Sequence, residues 1–486
     1  MTTTAPEPQW LRLSPRMLLV HPVHEVLRQV PVLIGSVVLG SATGNPLWAV
    51  AALAVTVAVG VARWFTTTYR IDAEEVQLRA GVLQRRVLSV PRNRIRSVST
   101  DARLLHRLLG LTVVQVSTGQ EAHGDDAFAL DAVEAGQVPH LRAELLAGSL
   151  TITGDAEPRG RVLARWQPEW LRYSPLSFTG LATIAAAAGL LYQAGAGALL
   201  RSTGLAEDGR GVTQRFGVAA TVAAVVVVVL IGSVVLSVLR SLLTYGNLLL
   251  RRDADVLHLE HGLLRRQERT YDMRRLRGGT LREPLLVRAF GGARLDAVMT
   301  GVGGAGEASL LLPPCPAATA RAVLSDLIAR QEEVMGPLRG HGASAARRRW
   351  TRALAVPVIL GIALLAATVL SVPPVWLWVV WAVLTGCCAL LAADRVRSLG
   401  HRVGDGWLVA RSGSLERRRD CIAGPGIIGW TVRQTFLQRR SGVATLIAAT
   451  AAGEKAYRVI DVPADGAWSI VAAASPWVRD VPWAGD

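Results

Sequence analysis

Gly81-VLQRRVLSVPRNRIRSVSTDARLLHRLL-Gly110 returns without a gap as Gly262-LLRRQERTYDMRRLRGGTLREPLLVRAF-Gly291 and as Gly413-SLERRRDCIAGPGIIGWTVRQTFLQRRS-Gly442. Between the glycines, Leu83, Leu264 and Leu415 share a column, as do Arg85, Arg266 and Arg417. Ile95, Leu276 and Ile427 follow, then Leu104, Leu285 and Phe436, then Arg107, Arg288 and Arg439. One shared Gly or Arg would carry little weight in this composition, but seven columns at fixed offsets in three copies identify an internal repeat.

The repeat also states what each unit is made of. Val76, Leu78, Leu83 and Val87 place apolar residues at mostly even spacing around Gly81, the pattern of a strand, a turn and a returning strand. Glycine at the turn permits the positive φ that such turns need. After the second glycine, Val114 and Val116 alternate with polar neighbours, as do Leu295 and Ala297, and Leu446 and Ala448. These are later strands. Helical segments are expected from Val138 to Ala147, Ala317 to Val334 and Ala464 to Ala474, so each unit reads as strands followed by one amphipathic helix.

Between the units the composition changes. From Gln29 to Ala62, Tyr173 to Leu200, Phe216 to Leu239 and Ala353 to Ala393 there is no Asp, Glu, Lys or Arg, although 19% of the chain is charged. A spanning helix needs about 20 apolar residues, so the two middle stretches fit one span each. The outer two fit a pair each, broken at Gly44-Asn45-Pro46 and at Val372-Pro373-Pro374. Six spans are expected, and the first hairpin is short enough for a re-entrant loop to be the alternative. The first apolar run begins after a long mixed segment with no cleavage pattern, so an anchor is expected rather than a signal peptide.

The formal charge of +16 is almost all arginine. Arg12, Arg16, Arg28, Arg63, Arg70, Arg240, Arg251, Arg252, Arg347 to Arg349, Arg352, Arg395 and Arg397 flank the apolar stretches on one side. The positive-inside rule then places both termini and all three polar units in the cytoplasm, within a multi-pass protein of the cell membrane. The expected order is an N-terminal segment with hairpin 1 (1–65), module 1 (66–148), a linker (149–172) and hairpin 2 (173–240). Module 2 (241–335), a basic linker (336–352), hairpin 3 (353–393) and module 3 (394–486) complete it.

Tyr69-Arg-Ile71, Arg79-Ala-Gly81-Val-Leu83, Val90-Pro91 leading to Ile95, and Arg107-Leu-Leu-Gly110-Leu-Thr-Val-Val114 resemble the membrane-flanked bacterial pleckstrin-homology-like proteins of the YdbT-like kind. Module 2 has Tyr271-Asp272 in place of the valine-proline pair, and module 3 departs furthest, with Gly424-Pro425-Gly426 read as an insertion before the aliphatic column. The resemblance implies an α+β multidomain membrane protein. Transmembrane hairpins would alternate with three PH-like β-barrel or sandwich domains, each a partly open barrel of about seven strands capped by a C-terminal helix. It supplies no settled activity.

Few residues suggest chemistry. His21-Pro-Val-His24-Glu25 lacks the helix a zinc pair needs, because Pro22 breaks it. Gly301-Val-Gly-Gly-Ala-Gly306 lies between strand patterns rather than between a strand and a helix, so a loop is expected there. Cys315, Cys387, Cys388 and Cys421 have no metal or disulfide spacing. No catalytic constellation falls in a repeat column, so no enzyme, cofactor or metal is expected. What remains is basic surface: Arg85, Arg86, Arg92, Arg94 and Arg96 in module 1, Arg265, Arg266 and Arg269 in module 2, and Arg417, Arg418 and Arg419 in module 3. Beside an anionic leaflet each such arginine adds on the order of 1 kcal/mol. The expected partners are anionic lipids and another membrane protein. Nucleic acid is disfavoured by the lack of stacking aromatics. A scaffold is the expected function, with an accessory role in transport or export as the alternative; oligomeric state is left open.

Overall fold

The computed structural model describes residues 66–72, 74–81, 86–92, 97–102, 104–117, 128–138, 160–176, 218–301, 309–370 and 373–480, with scattered positions between 10 and 65 and between 95 and 145. Most of the first hairpin and of the third expected span lies outside these. Three described helices are long and apolar enough to cross a membrane. They fall in α2 (Val218–Tyr245), α6 (Gly342–Leu370) and α7 (Val375–Ser398). Only 6% of each apolar window is buried, so these side chains face outward, as lipid contact requires. In the third hairpin the Trp381 indole N–H donates to the Pro357 carbonyl at 2.8 Å. A side chain at Gly361 would meet that ring at 3.0 Å, so the glycine is what lets the indole lie against α6.

In module 1, β1 (Leu11–Arg12), β2 (Thr68–Ile71), β3 (Glu75–Ala80) and β4 (Arg86–Pro91) form one antiparallel sheet. Next come β5 (Ser97–Ala102), α1 (Leu104–Leu108), β6 (Leu111–Ser117) and β7 (Phe128–Glu134). Val76, Leu78 and Val90 from the first sheet and Val98, Val114, Phe128 and Leu130 from the later strands share one core with Ile95, which is fully buried. Each large side chain so buried is worth about 1.5–3 kcal/mol against exposure. Leu145 completes this core from the segment expected to be helical.

Module 2 repeats the pattern with β8 (Arg161–Arg165), β9 (Leu249–Asp253), β10 (Val256–His261), β11 (Arg266–Asp272), β12 (Leu276–Pro284), α3 (Leu285–Ala289), β13 (Gly292–Met299), β14 (Leu310–Pro316), α4 (Ala317–Ile328) and α5 (Gln331–Met335). Module 3 follows with β15 (Gly400–Gly404), β16 (Trp407–Ser412), β17 (Glu416–Ala423), β18 (Ile427–Arg433), α8 (Phe436–Arg440), β19 (Val443–Thr450), β20 (Ala456–Pro463) and α9 (Ala467–Ala474). On α4, Ala320, Val323, Leu324, Leu327 and Ile328 are buried, the one-sided spacing of an amphipathic helix.

The expected barrels do not close, because strands pair across modules. Strand β5 of module 1 pairs with β11 of module 2, and β12 of module 2 pairs with β17 of module 3, giving sheets of seven and six strands. Both seams use one register. Gln267, five residues after Gly262, lies opposite Asp101, twenty after Gly81; Arg418, five after Gly413, lies opposite Arg282, twenty after Gly262. The contacts accordingly divide the chain into two units, Met1–Arg165 with Leu243–Arg275 and Trp166–Leu242 with Leu276–Asp486. Module 2 contributes its early strands to the first unit and its late strands to the second.

The repeat glycines hold matching backbone. Gly81, Gly262 and Gly413 have φ of 127°, 105° and 99°, and Gly110, Gly291 and Gly442 have 70°, 75° and 64°. Each of the second trio precedes a strand, and its carbonyl accepts from Ala135, Ala317 or Ala464 at 2.8, 2.9 and 3.0 Å. The supposed insertion in module 3 is a correction: Gly424–Gly426 is a short 3₁₀ turn where module 2 has Met273–Arg275. Its first N–H reaches the Gly406 carbonyl at 2.6 Å, as Met273 reaches Asp255 at 2.7 Å and Arg92 reaches Glu74 at 2.9 Å.

Two expected linkers are also structured. Residues 160–176 carry β8 and a 3₁₀ helix, Pro168–Leu176, in which Trp170 and Tyr173 are buried. The basic segment 336–352 forms the bridge Arg339 to His401 and then the start of α6, where Arg348 and Arg349 pair with buried Asp461.

A methyl group on Gly413 would lie 2.0 Å from the Glu416 carbonyl oxygen, whereas one on Gly442 would meet nothing within 4 Å. Gly442→Ala should therefore cost only the left-handed backbone penalty of about 1–2 kcal/mol. Gly413→Ala should cost more, about 3 kcal/mol, because the hairpin itself must move. Thermal unfolding of the purified full chain checks the order; equal losses would place the two glycines in equivalent environments.

Candidate functional site

The arginines singled out from the sequence divide sharply by position. Arg85, Arg94 and Arg96 lie outside the described residues. Arg86 opens β4 on the surface and Arg92 lies half-buried in the following turn. Arg265 is drawn across the first seam to Asp101, its Nε donating to Oδ1 at 2.7 Å, and Arg266 pairs with Glu260 on the neighbouring strand. Arg269 donates to the Gln267 side chain at 3.4 Å. In module 3, Arg417 reaches Asp394 at 2.7 Å, Arg418 reaches Asp420 at 3.1 Å and Glu454 at 2.8 Å, and Arg419 donates to the carbonyls of Glu333 and Gly336 at 2.9 and 3.0 Å.

The second seam is a charge network. Buried Arg282 reaches Asp296 at 2.7 Å and Glu416 at 3.1 Å and also pairs with Glu454, while Thr280 donates to Asp420 at 2.8 Å. Burial opposes the charge on Arg282, but Asp296, Glu416 and Glu454 more than offset it and hold the guanidinium protonated. Burial raises Asp420, against the pull of Arg418. Burial also raises the thiols of Cys315 and Cys421 to about 12, so neither supplies a thiolate near neutral pH.

Two repeat columns meet at the ends of the seams. Arg288 and Arg417 grip the same carboxylate, Asp394, at 2.8 and 2.7 Å. Their counterparts in the first seam are Arg107 and Arg266. Both line an open cleft of about 380 Å³ with Thr100, Thr112 and Glu268, and Arg107 donates to the Leu263 carbonyl at 2.8 Å. The residue matching Asp394, nineteen before the hairpin glycine, is Leu243. Strands β9 and β15 both begin thirteen before that glycine, so the match needs no gap. The first seam thus has the arginine pair without the carboxylate that joins it in the second. Two guanidiniums that line one cleft suit a phosphate or carboxylate group, which accepts paired N–H donors.

The turns that bear these arginines sit against span ends. The Gly262 N–H donates to the Gly246 carbonyl at 2.8 Å and Leu263 to Leu243 at 3.0 Å, at the end of α2. Ser398, the last residue of α7, donates through its hydroxyl to the Gly413 carbonyl at 2.5 Å. The sequence displayed Arg107, Arg288 and Arg439 only as a repeat column. Their signal was a charge kept at a fixed offset in a short helix before the second glycine, but what they meet depends on cross-module pairing. Asp394 stood at the very edge of an apolar run and gave no sign of a role.

Among the described residues no group of three or more His, Cys, Asp or Glu side chains could hold a metal ion. The bacterial PH domain family model matches residues 27–148, 187–331 and 355–467. No curated protein and no solved structure matches the chain.

One buried pair, His341 of the segment before α6 and His401 of module 3, titrates away from its ordinary range. His341 and His401 share a hydrogen bond of 2.9 Å, and the other ring nitrogen of His341 faces the Ile460 carbonyl at 2.8 Å, so His341 donates there and accepts from His401. Burial lowers both, His401 to about 4 with His341 and Arg339 adding to the effect. Each imidazole is neutral when folded and takes up a proton near pH 6.5 when unfolded. The contribution to stability is therefore complete above about pH 6.5 and is lost as pH falls toward 4. Melting temperature should drop by several degrees between pH 7 and pH 5, and His401→Gln should flatten that dependence. An unchanged pH profile in the variant would assign the acid sensitivity to other groups.

Proposed function

This chain belongs to the bacterial PH domain family, in three tandem copies, and on that premise we propose that it is a non-enzymatic membrane scaffold whose modules hold anionic lipid headgroups beside the bilayer. The reading places the modules on the cytoplasmic side, from the arginine flanks of the apolar stretches. The observation that carries it is the arginine pair Arg107 and Arg266. Its twin, Arg288 and Arg417, holds a carboxylate, and its own cleft lies beside the end of a candidate span. A cleft beside a span end lies where a headgroup phosphate would sit on the proposed topology. It must compete with Glu260 for Arg266, but an ion pair this exposed is worth only about 0–1 kcal/mol. Glu268 on the cleft wall works against an anion, which makes it a second handle on the site.

The test requires the full chain, because an excised module 1 would leave the β5 edge without β11. Delipidated protein in neutral detergent, titrated with phosphatidylglycerol and followed by native mass spectrometry, should retain the anionic lipid and not phosphatidylcholine. Arg107→Gln with Arg266→Gln should weaken retention by roughly tenfold, about 1.4 kcal/mol for the pair, and Glu268→Gln should strengthen it. Leu243→Asp should act as a built-in competitor, closing the pair as Asp394 closes its twin. Retention unmoved by all three variants would return these arginines to a solubility role. Displacement of the lipid by millimolar inorganic phosphate would identify the phosphate group, rather than the acyl chains, as what the cleft holds.

A further inference from the structure

Each seam joins the strand after one module's 3₁₀ turn to the strand before the next module's turn, so three modules in a row use two such joints and leave one half-joint at each end. The unused halves are β4 of module 1 and β18 of module 3. Among the described residues, β4 has only β3 beside it and β18 only β19. Both are built like their paired counterparts. Strand β18 breaks register with β19 between Ile427 and Gly429, where β12 breaks register with β13 between Leu276 and Gly278, the same two offsets in the repeat. Pro91, which has no N–H to give, falls one residue beyond the last position paired in either seam, so it does not block β4.

Among the described residues the flanking contacts are unused as well. Leu285 is half-buried, and its N–H donates to the Leu415 carbonyl of the next module at 2.7 Å. Phe436, in the same column of module 3, is 78% exposed, Leu437 next to it is 60% exposed, and Ile428 on β18 is 67% exposed. Val87 on β4 is 56% exposed. Arg107 and Arg288 both reach into the next module, and Arg439 has no side-chain partner among the described residues. An open edge of this kind is a template for another strand, and the strand it matches is carried by a second copy of the same chain.

We propose that the chain assembles head to tail, β18 of one copy pairing antiparallel with β4 of another in the register of the internal seams. Val432 then lies opposite Val87 and Trp430 opposite Ser89, as Leu281 lies opposite Arg419 and Gly279 opposite Cys421 in the second seam. The joint is heterologous, so each copy keeps one free end after pairing and growth continues until a ring closes or the ends run out. Arg433 falls opposite Arg86. The second seam sets Arg282 opposite Arg418 in the same way and bridges them through Glu454. Attachment to one membrane raises the effective concentration of the two ends for each other.

The test co-expresses two differently tagged full-length chains, Val87→Cys and Val432→Cys, each with Cys387→Ala and Cys388→Ala, and treats membranes with a short bis-maleimide. A covalent dimer carrying both tags is expected, and each variant expressed alone should give none. Pairing Val87→Cys with Thr431→Cys should reduce the product roughly tenfold, because a one-residue slip turns the thiols to opposite faces. Arg433→Glu in uncross-linked protein should shift the size distribution in nanodiscs or detergent toward larger species by relieving the Arg86 contact. No mixed dimer, a dimer from Val87→Cys alone, or equal yield in the slipped pair would overturn the proposal, the last two by showing a different contact. None of these readouts depends on lipid binding at Arg107 and Arg266.

Discussion

Backbone pairing between modules is the constraint on which the rest depends. A module of this kind ends its first sheet on one bare edge and starts its second on another, and an unpaired row of N–H and C=O groups must find a partner or water. The chain satisfies the internal edges by joining consecutive modules, β5 to β11 and β12 to β17. That choice sets the identical register of the two seams, divides module 2 between two units, and decides which arginines face each other. Closed barrels would have left each module self-sufficient and the arginine columns apart.

The two seams meet the same backbone requirement with different side chains. The second is locked by Arg282 and Asp296, which are buried, together with Glu454 and Arg418, and Glu416 joins them from the surface. Removing one member of such a network is costly because the others stay buried and unpaired. At the first seam, Arg265 and Asp101 pair at an edge where Arg265 is half exposed, and the cleft beside them stays open. Rigidity and receptivity are thereby assigned to different copies of one joint.

The modules and the membrane helices were readable in the sequence because both follow periodicity. Apolar gaps mark α6 and α7, and the columns led by Gly81 and Gly110 mark hairpins and strand starts whose φ values agree across the copies. Cross-module pairing was not readable, since hydrophobic alternation says which face of β11 is buried but not which strand lies beside it. The arginines suffered from the same limit. Arg417 and Arg418 read as basic surface for anionic lipid or a partner, and the seam shows that they also meet Asp394, Asp420 and Glu454. Gly424-Pro425-Gly426 looked foreign because its residue types differ from Met273-Arg274-Arg275, although a 3₁₀ turn accepts both.

Asp394 offers a way to think about what an external anion would change. It belongs to α7, while Arg288 comes from module 2 and Arg417 from module 3, so one carboxylate on a membrane helix fastens two modules to each other and to their anchor. The first seam has the two arginines from modules 1 and 2 and an aliphatic residue, Leu243, in the matching place on α2. On the proposed reading, a headgroup phosphate between Arg107 and Arg266 would supply the missing charge from the bilayer itself. The lipid would then act as a third fastener at the first seam, tightening it where the chain has not, and the stability of that seam would follow the anionic lipid content of the membrane.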